Sequence, residues 1–390
     1  MPGTTLLIGT RKAFFIYRSD AARERWELSP PMLKGTSVYQ AAVDTRRRPA
    51  RLLLLAANHW AWGRSVARSD DGGQTWEQRS PGLGFPQDMG ITIDNVWGIA
   101  PGHPDEPGVV WAGTQPAGLF RSADWGETWE PVDTLNRLPD RKFWYMTGGG
   151  QSAVTAIELD PRTPRRIYVS IAAGGAYCSE DGGQTWEPRW HTAIATTPEV
   201  REMFAKIEEL FPEMAAQFPM PEDVDPLAAN EFHKFRLDPK NPDRAWGQAH
   251  VGVFRSDNGG RKWVDVTNGL PSFHGFPLAV TKQGRDAVFV APLEMEADNF
   301  RVMNGQFAIY RTTDAGATWE RLARGLPGPH DYQSVYRDAM DTDGVDPEGV
   351  YVGTTNGEVY YGREWGESWV RLPGTLPPIL SVTAVPSDLL

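Results

Sequence analysis

Short apolar runs separated by turn residues repeat along the whole chain. Between residues 154 and 190, the runs VTAIELDP, RIYVSIA, GAYCSED and TWEPRW follow one another with few residues between them. Runs of this length that are rich in β-branched and aromatic residues and bounded by glycine, proline or aspartate are typical of β-strands. This segment therefore predicts four consecutive short strands.

The same strand types recur elsewhere in the chain. The first run resembles SVYQAAVDT at 37–45 and SVYRDAMDT at 334–342, and the second recurs at 5–10, 52–57, 109–114, 287–292 and 350–355. A repeated unit of four short strands is the sequence signature of a propeller blade. We therefore expect an all-β fold built from such blades.

A second motif marks the end of each unit. The pattern Ser/Thr-x-Asp-x-Gly-x-Thr-Trp is complete in four places, at Ser69–Trp76, Ser122–Trp129, Ser179–Trp186 and Thr312–Trp319. Degenerate copies stand at Ser256–Trp263, Gly362–Trp369 and Ser19–Trp26, where Ala21 takes the aspartate position. Successive tryptophans are 50 to 57 residues apart, with one interval of 77. Seven copies predict seven four-stranded blades.

This motif, called the box below, is repeated along the chain, and some copies have lost its aspartate. A motif that tolerates such loss is more consistent with a structural role than with a catalytic one. We expect its aspartates to bond their own turns, its glycines to supply backbone angles that other residues resist, and its tryptophans to pack between sheets. These structural residues are Asp71, Asp124, Asp181 and Asp314, with Trp76, Trp129, Trp186, Trp263 and Trp319.

The two ends of the chain complement each other. The N-terminal run TLLIGT is a second-type strand with no first strand before it, and ILSVTAV at 379–385 is a first-type strand left over at the C-terminus. Pairing them would complete one blade from residues 1–30 and 376–390, and would remove the free edges of an open array. We therefore expect one seven-bladed propeller over 1–390.

The long interval between boxes holds an insertion. Residues 191–230 include apolar positions at helical spacing, among them Val200, Phe204, Ile207 and Phe211. We expect a helix near 196–218 on the face that carries the channel mouth. It could cover the channel, mediate oligomerisation or pack against a blade edge.

The repeated motif resembles the Asp-box, or bacterial neuraminidase, repeat. The chain is identified by it as a member of the Asp-box β-propellers, which include sialidases, xyloglucan-degrading glycosidases, sortilin-type receptors and a photosystem II assembly factor. The resemblance implies that the box is a hairpin on the outer part of each blade. It does not imply a true sialidase, because those are six-bladed and carry an Arg-Ile-Pro motif that this chain lacks.

The amino-acid composition excludes several classes of ligand and several kinds of site. The formal net charge is −11, which argues against nucleic acid and against an anionic membrane surface as ligands. Cys178 is the single cysteine, so no intrachain disulfide can form. The N-terminus lacks the pattern of a signal peptide, and no apolar run is long enough to span a bilayer. We therefore expect a cytoplasmic protein.

Candidate site residues come from the loops that enter first strands and the loops that join second to third strands. In a propeller both sets surround one mouth of the channel. The ligand-binding candidates on these loops are Arg11, Tyr39, Asn58, Trp60, Trp62, Trp144, His233, Tyr336 and Arg337.

Candidate acid/base groups lie on the same loops. Histidine is the commonest general acid/base near neutral pH, and Glu294 with Glu296 offers the paired carboxylates that glycoside chemistry requires. The catalytic candidates are His59, His250, His274, His330, Glu294 and Asp331.

Three hypotheses of function follow from this face. The first is a site for a small polar or carbohydrate-like ligand, with hydrolase or lyase chemistry if the protein is an enzyme, and with Arg11 or Arg337 binding an anionic group. The second is a non-catalytic interaction scaffold. The third is a metal-dependent enzyme with a divalent ion at His59, His250, His274 and His330, although no cofactor follows from any motif.

Overall fold

The computed structural model describes residues 2–47, 52–146, 150–190, 209, 232–294 and 302–390. Within these ranges the blades are seven antiparallel sheets, six of four strands and one of three, with one further two-stranded hairpin. The prediction of an all-β seven-bladed propeller is confirmed. The predicted insertion at 191–230, with its helix near 196–218, lies outside the described residues except for Glu209.

The strands of blades 2 to 7 run outward from the channel in chain order, whereas blade 1 begins with the C-terminal strand. Blade 1 holds Ile379–Pro386, Thr4–Thr10, Phe14–Ser19 and Trp26–Leu28. Blade 2 holds Thr36–Asp44, Leu52–His59 and Gly63–Ser69, with an isolated bridge from Arg68 to Glu77 in the fourth position. Blade 3 holds Asn95–Pro101, Val110–Gln115, Gly118–Ser122 and Glu130–Pro131.

The remaining blades follow the same order. Blade 4 holds Val154–Leu159, Ile167–Ile171, Gly175–Ser179 and Glu187–Pro188. Blade 5 holds Phe232–Asp238, Asn241–Ala249, Gly252–Ser256 and Val264–Asp265. Blade 6 holds Gly275–Val280, Val288–Pro292, Ile309–Thr312 and Glu320–Leu322. Blade 7 holds Met340–Thr342, Val350–Gly353, Val359–Arg363 and Ser368–Arg371.

Other regular structure among the described residues is short. A hairpin pairs Tyr145–Met146 with Gly150–Gln151, and one helical turn spans Asp133–Asn136. Short 3₁₀ segments span Gln87–Met89, Pro139–Phe143, Met303–Gly305 and Ser387–Leu389. None of the described helices has the length and apolar character needed to cross a membrane.

The apolar core lies between neighbouring blades, and each box tryptophan packs against the blade that precedes it. Trp76 of blade 2 meets Phe14 of blade 1 edge-on, with ring centroids 5.5 Å apart. Trp26 of blade 1 meets Tyr351 and Tyr361 of blade 7 at 5.8 and 5.9 Å. Such edge-to-face contacts add to the free energy gained by burying the rings. The box therefore fixes the spacing between adjacent blades.

Hydrogen bonds within the turn shape the box that presents each tryptophan. Asp71 Oδ1 accepts the amides of Gln74 and Thr75 at 2.9 Å, and Oδ2 accepts the Thr75 hydroxyl at 2.6 Å. These bonds, led by that of the Thr75 hydroxyl, lower the pKa of Asp71 to about 2. Gly73 has a φ of 94°, in the left-handed region that glycine tolerates best. The carboxylate thus bonds its own turn.

The ring is closed by strands from both ends of the chain. Residues 379–386 pair antiparallel with residues 4–10, and the inner strand of each blade contacts that of the next blade around the channel. Beside this closure, buried Asp343 of blade 7 accepts bonds from the Thr4 hydroxyl at 2.7 Å and from Arg23 Nη1 at 2.9 Å. Tyr351 donates to the same carboxylate at 2.8 Å. A buried charge with several donors therefore joins blades 7 and 1.

We predict that Asp71→Ala lowers the melting temperature at neutral pH. Because the pKa of Asp71 in the folded protein lies below the ordinary value of 3.8, the stabilisation is present above about pH 4 and is lost as the pH falls towards 2. Thermal unfolding of the variant and the wild type should therefore converge over that range. Asn258 occupies the same position in the blade 5 box without a charge and accepts the Lys262 amide at 2.8 Å, so the effect of Asn258→Ala should not vary with pH.

We predict that Asp343→Ala destabilises the protein by about 3–5 kcal/mol, because it leaves the buried guanidinium of Arg23 without its carboxylate. Urea unfolding followed by tryptophan fluorescence measures the loss. Glu27→Ala, at an exposed position of blade 1, is the control and should change stability little. Equal losses in the two variants would show that the bonded carboxylate does not hold the closure.

Candidate functional site

The inner strands are irregular where they approach the channel mouth. In the described residues, the pairing of inner and second strands shifts register between Val38 and Gln40, between Val96 and Gly98, and between Phe232 and Lys234. Equivalent shifts occur in blades 1, 4 and 6. A bulge places one extra residue on the strand and redirects its side chain. Tyr39, Trp97 and His233 are the extra residues in blades 2, 3 and 5.

Two of these bulge residues, Tyr39 and Trp97, line a cavity of about 390 Å³ at the mouth of the channel. Its size is within the range of pockets for small molecules. The lining residues are Arg11, Tyr39, Trp97, Phe276, Leu293, Ser334, Val335, Tyr336, Arg337, Asp338, Thr355 and Leu380. Four predicted residues, Arg11, Tyr39, Tyr336 and Arg337, are therefore brought together from blades 1, 2 and 7.

Aromatic rings and guanidinium groups alternate around this cavity. The rings of Tyr39 and Trp97 lie 4.7 Å apart between centroids. The guanidinium carbon of Arg337 lies 4.8 Å from the Phe276 ring and 5.8 Å from the Trp97 ring. These contacts hold the guanidinium by cation–π attraction, and all three rings belong to residues that line the cavity.

Arg11 occupies the rim of the cavity. Its Nη2 donates to the Tyr336 hydroxyl at 3.2 Å, and its guanidinium carbon lies 5.9 Å from the Tyr336 ring. The pKa of Tyr39 is raised, mainly by burial and against the opposing effect of Arg11. Tyr39 is therefore protonated at neutral pH, and its hydroxyl can donate a hydrogen bond.

A buried ion pair forms the floor. Lys234 of the blade 5 inner strand is fully buried, and its ammonium group bonds the carboxylate of Asp338 in blade 7. The same ammonium lies 3.4 Å from the Thr155 carbonyl oxygen. Burial lowers the pKa of Lys234, and nearby Arg236 acts in the same direction. Asp338 also lines a cavity of about 400 Å³ on the other side, so the pair separates two parts of the channel.

Three predicted histidines meet beside the cavity. The ring centroids of His233, His250 and His274 lie 4.7 to 5.4 Å from one another, and His233 Nδ1 lies 2.6 Å from the Gly275 carbonyl oxygen. Phe276 packs on His233 at 4.6 Å and on His274 at 5.3 Å. This histidine cluster therefore touches the ring that supports Arg337.

The other acid/base candidates belong to different loops. Glu294 Oε1 accepts the Asn304 amide at 2.7 Å, while His330 takes a positive φ of 69° in the loop before blade 7. Asp331 follows it and accepts the Gln333 amide at 3.3 Å. None of these three lines the mouth cavity. Glu296 lies outside the described residues.

His59 stands at the tip of a hairpin in blade 2. Its Nδ1 accepts the amides of Ala61 and Trp62, both at 3.0 Å. Its ring is nearly parallel to those of Trp60 and Trp62, with centroids 6.0 and 5.9 Å away. The two tryptophans are 88% and 84% exposed. Neither tryptophan lines the cavity.

The side chains of two predicted ligand-binding residues are buried and form hydrogen bonds within the protein. Asn58 is buried, donates to the Val96 carbonyl at 2.8 Å and accepts the Val96 amide at 2.7 Å, which ties blade 2 to blade 3. Trp144 is buried and donates to the Tyr177 hydroxyl at 3.1 Å. The hydrogen-bonding groups of both side chains are thus engaged within the protein.

Sequence reasoning did not select Trp97, Phe276, Lys234 or Asp338. The sequence does contain an indication for Trp97: NVWG at 95–98 aligns with SVYQ at 37–40, so Trp97 takes the position in blade 3 that Tyr39 takes in blade 2. Asp338 follows the matching SVYR. The pairing of Lys234 with Asp338 joins blades 5 and 7 across the channel, and nothing in either strand indicates it.

The proposed metal site gains no support from the geometry. Among the described residues, no group of three or more histidine, cysteine, aspartate or glutamate side chains could hold a metal ion. His250 and His274 pack ring against ring with His233, and His59 uses Nδ1 within its own hairpin.

The fold and the repeated turns define the class: the chain is an Asp-box β-propeller. The BNR/Asp-box repeat model matches residues 67–78 and 177–188, which are the boxes of blades 2 and 4.

Similarity to particular proteins extends beyond the boxes. Xyloglucanase Xgh74A of Acetivibrio thermocellus is 26% identical over 338 residues, which cover 78% of this chain and 35% of the enzyme. Photosystem II assembly protein Ycf48 of Thermosynechococcus vestitus is 25% identical over 155 residues, covering 32% of this chain and 41% of that protein. This chain thus spans about a third of the xyloglucanase.

A solved structure shows the same fold over nearly the whole of both chains. Ycf48 from Cyanidioschyzon merolae superposes with a TM-score of 0.55 at 12% identity, covering 89% of this chain and 88% of that one.

We predict that Lys234→Met destabilises the protein by about 3–5 kcal/mol, because Asp338 is left charged and buried. The double variant Lys234→Met with Asp338→Leu should recover most of this loss, because no lone charge remains. The free energies of unfolding in urea of the wild type, the two single variants and the double variant form a double-mutant cycle, which gives the coupling between the two side chains. Losses that simply add would show that the two side chains do not form a coupled pair.

Proposed function

We propose that the channel mouth binds a ring-shaped, carbohydrate-like ligand that carries an anionic group. The observation that carries this proposal is the cavity in which Trp97, Tyr39 and Phe276 stand beside Arg11 and Arg337. Aromatic faces bind the apolar faces of sugar rings by burial and dispersion, and a guanidinium suits a planar carboxylate.

The charges that line the cavity support an anionic ligand. Arg11 and Arg337 contribute two positive charges, and among the described lining residues Asp338 is the one carboxylate. Lys234 neutralises that carboxylate from below. A cavity with this balance attracts a carboxylate or another anion, although the chain as a whole carries −11.

The same set of lining residues favours ligand binding over glycoside hydrolysis in this cavity. A glycosidase of the usual type places two carboxyl groups on either side of the bond it cleaves. The described lining residues supply Asp338 alone, and its oxygen is bonded to an ammonium group. The similarity to a xyloglucanase therefore supports a sugar-like ligand more directly than it supports that enzyme's reaction.

A second candidate function is that of a protein-binding scaffold. It is favoured by the extent of the likeness to Ycf48, whose fold matches over 88% of its length, whereas the matched xyloglucanase is about three times longer than the aligned region. A scaffold of this kind would use the rim of the mouth rather than its interior. Variants inside the cavity would then have no effect on binding.

We predict that galacturonate binds the wild-type protein more tightly than galactose, its uncharged counterpart, in isothermal titration calorimetry. Arg11→Gln should weaken galacturonate binding by about tenfold and leave galactose unchanged, since it removes a charge-assisted hydrogen bond. Trp97→Ala should weaken both sugars, because it removes a ring face.

The matched control is Arg18→Gln, which makes the same change of charge on the exposed wall of blade 1. It should leave both affinities as they are. If Arg18→Gln and Arg11→Gln have equal effects, or if neither sugar binds at millimolar concentration, the proposed site is wrong.

A further inference from the structure

A basic and aromatic surface continues from the mouth cavity across blades 1 and 2. It consists of Arg11, Lys12, Lys34, Trp60, Trp62 and Arg64, all of which are exposed. We call this surface the blade 1–2 rim. It stands out because four cations and two almost fully exposed indoles lie together on a chain with a net charge of −11.

Hydrogen bonds make the rim continuous with the cavity. Arg11 lines the cavity, and its carbonyl accepts the Ser37 hydroxyl at 2.8 Å. The Lys12 carbonyl accepts the Gly35 amide at 2.7 Å. Thr36 is in turn the strand partner of His59, whose hairpin carries both tryptophans. A ligand leaving the cavity past Arg11 therefore reaches the hairpin without crossing another blade.

The charge of the rim is not balanced by ion pairs. Arg11 bonds the Tyr336 hydroxyl and Arg64 bonds the Asp94 carbonyl, and none of the four cations forms a salt bridge with a described residue. Asp94 adds one negative charge beside Arg64, so the rim remains positive overall. A surface of this kind attracts a polyanion and is sensitive to salt.

The backbone that carries the two indoles is held in a fixed turn. His59 Nδ1 accepts two amides of its own hairpin turn, which fixes the backbone that carries Trp60 and Trp62. A hairpin fixed in this way loses little entropy when a ligand binds. Exposed aromatic faces at the end of a rigid hairpin are suited to stacking against successive sugar rings.

We propose that the ligand is an anionic oligosaccharide chain, with one ring in the mouth cavity and the following rings along the blade 1–2 rim. This rests on the proposed function, because it takes the cavity as the site of the first ring. A chain of rings explains why a cavity and an exposed platform adjoin, and its charge explains the four cations. Uronate and sulfate groups share the chemistry that these cations recognise.

The experiment compares hexagalacturonate with galacturonate, each titrated calorimetrically into the wild-type protein and three variants. The hexamer should bind at least about tenfold more tightly than the monomer. The double variant Trp60→Ala with Trp62→Ala should lose that gain and keep monomer affinity. Lys12→Gln with Lys34→Gln should weaken the hexamer alone and flatten its dependence on salt. Val264→Ala with Val370→Ala, at exposed apolar positions on outer strands, should change neither affinity.

Further ligands separate the alternatives. A heparin hexamer tests sulfate as the anionic group, and whichever of the two anionic chains binds more tightly identifies the source of charge. A neutral xyloglucan oligosaccharide that binds as tightly as both would overturn the anionic part of the proposal. Binding of phosphatidylserine vesicles through Trp60 and Trp62, with no oligosaccharide bound, would assign the rim to a membrane surface and overturn the proposal entirely.

Failure of the inference about a chain and failure of the mouth site itself give different results. If the monomer binds and Trp97→Ala weakens it, but the hexamer gains nothing from the rim, the inference about a chain is wrong and the mouth site stands. If Trp97→Ala affects neither ligand, the mouth is not a binding site, and the inference fails with it.

Discussion

The pairing of residues 379–386 with residues 4–10 is the constraint on which the rest of the molecule depends. A row of sheets that does not close leaves two free edges, and its blades need not share an axis. Closure brings blade 7 beside blade 1, so that Arg11 can reach Tyr336 across 325 residues of chain. The carboxylate of Asp343 strengthens this junction with donors from both blades. The mouth cavity therefore exists only because the ring is closed.

The boxes act at the outside of the same ring. In five of the seven blades the turn is held by an aspartate or asparagine at the box position, and the box tryptophans reach the neighbouring blade. The inner strands meet along the channel, where polar groups replace apolar packing, as in the pair of Lys234 and Asp338. The structure is thus apolar between blades and charged at its axis. Burying that charge costs free energy unless both partners are present, so the axis specifies which inner strands face each other.

The number and boundaries of the blades follow from sequence because the box is local: its bonds join residues at most five positions apart, as Asp71 and Thr75 illustrate. The order of strands also predicts which loops surround the mouth of the channel. Arg11, Tyr39, Tyr336 and Arg337 lie on or beside those loops. The side-chain directions do not follow. Asn58 and Trp60 are two residues apart in one hairpin, yet one ties two blades together and the other is exposed to solvent. Contacts between blades, such as that of Lys234 with Asp338, depend on closure and carry no local signal.

The bulges at the mouth have a consequence for how this fold can change. The extra residue at each register shift is Tyr39 in blade 2, Trp97 in blade 3 and Thr155 in blade 4, so chemically different side chains occupy one geometric position. Because a bulged residue stands outside the regular ladder of strand pairing, exchanging it leaves the pairing on either side intact. The mouth is in this sense a ring of positions that hold different side chains on one common strand pairing. The cost of exchanging one of them is set by its neighbours, as for Tyr39 against the Trp97 ring and for the buried Thr155 hydroxyl that bonds the Phe232 carbonyl of the next blade.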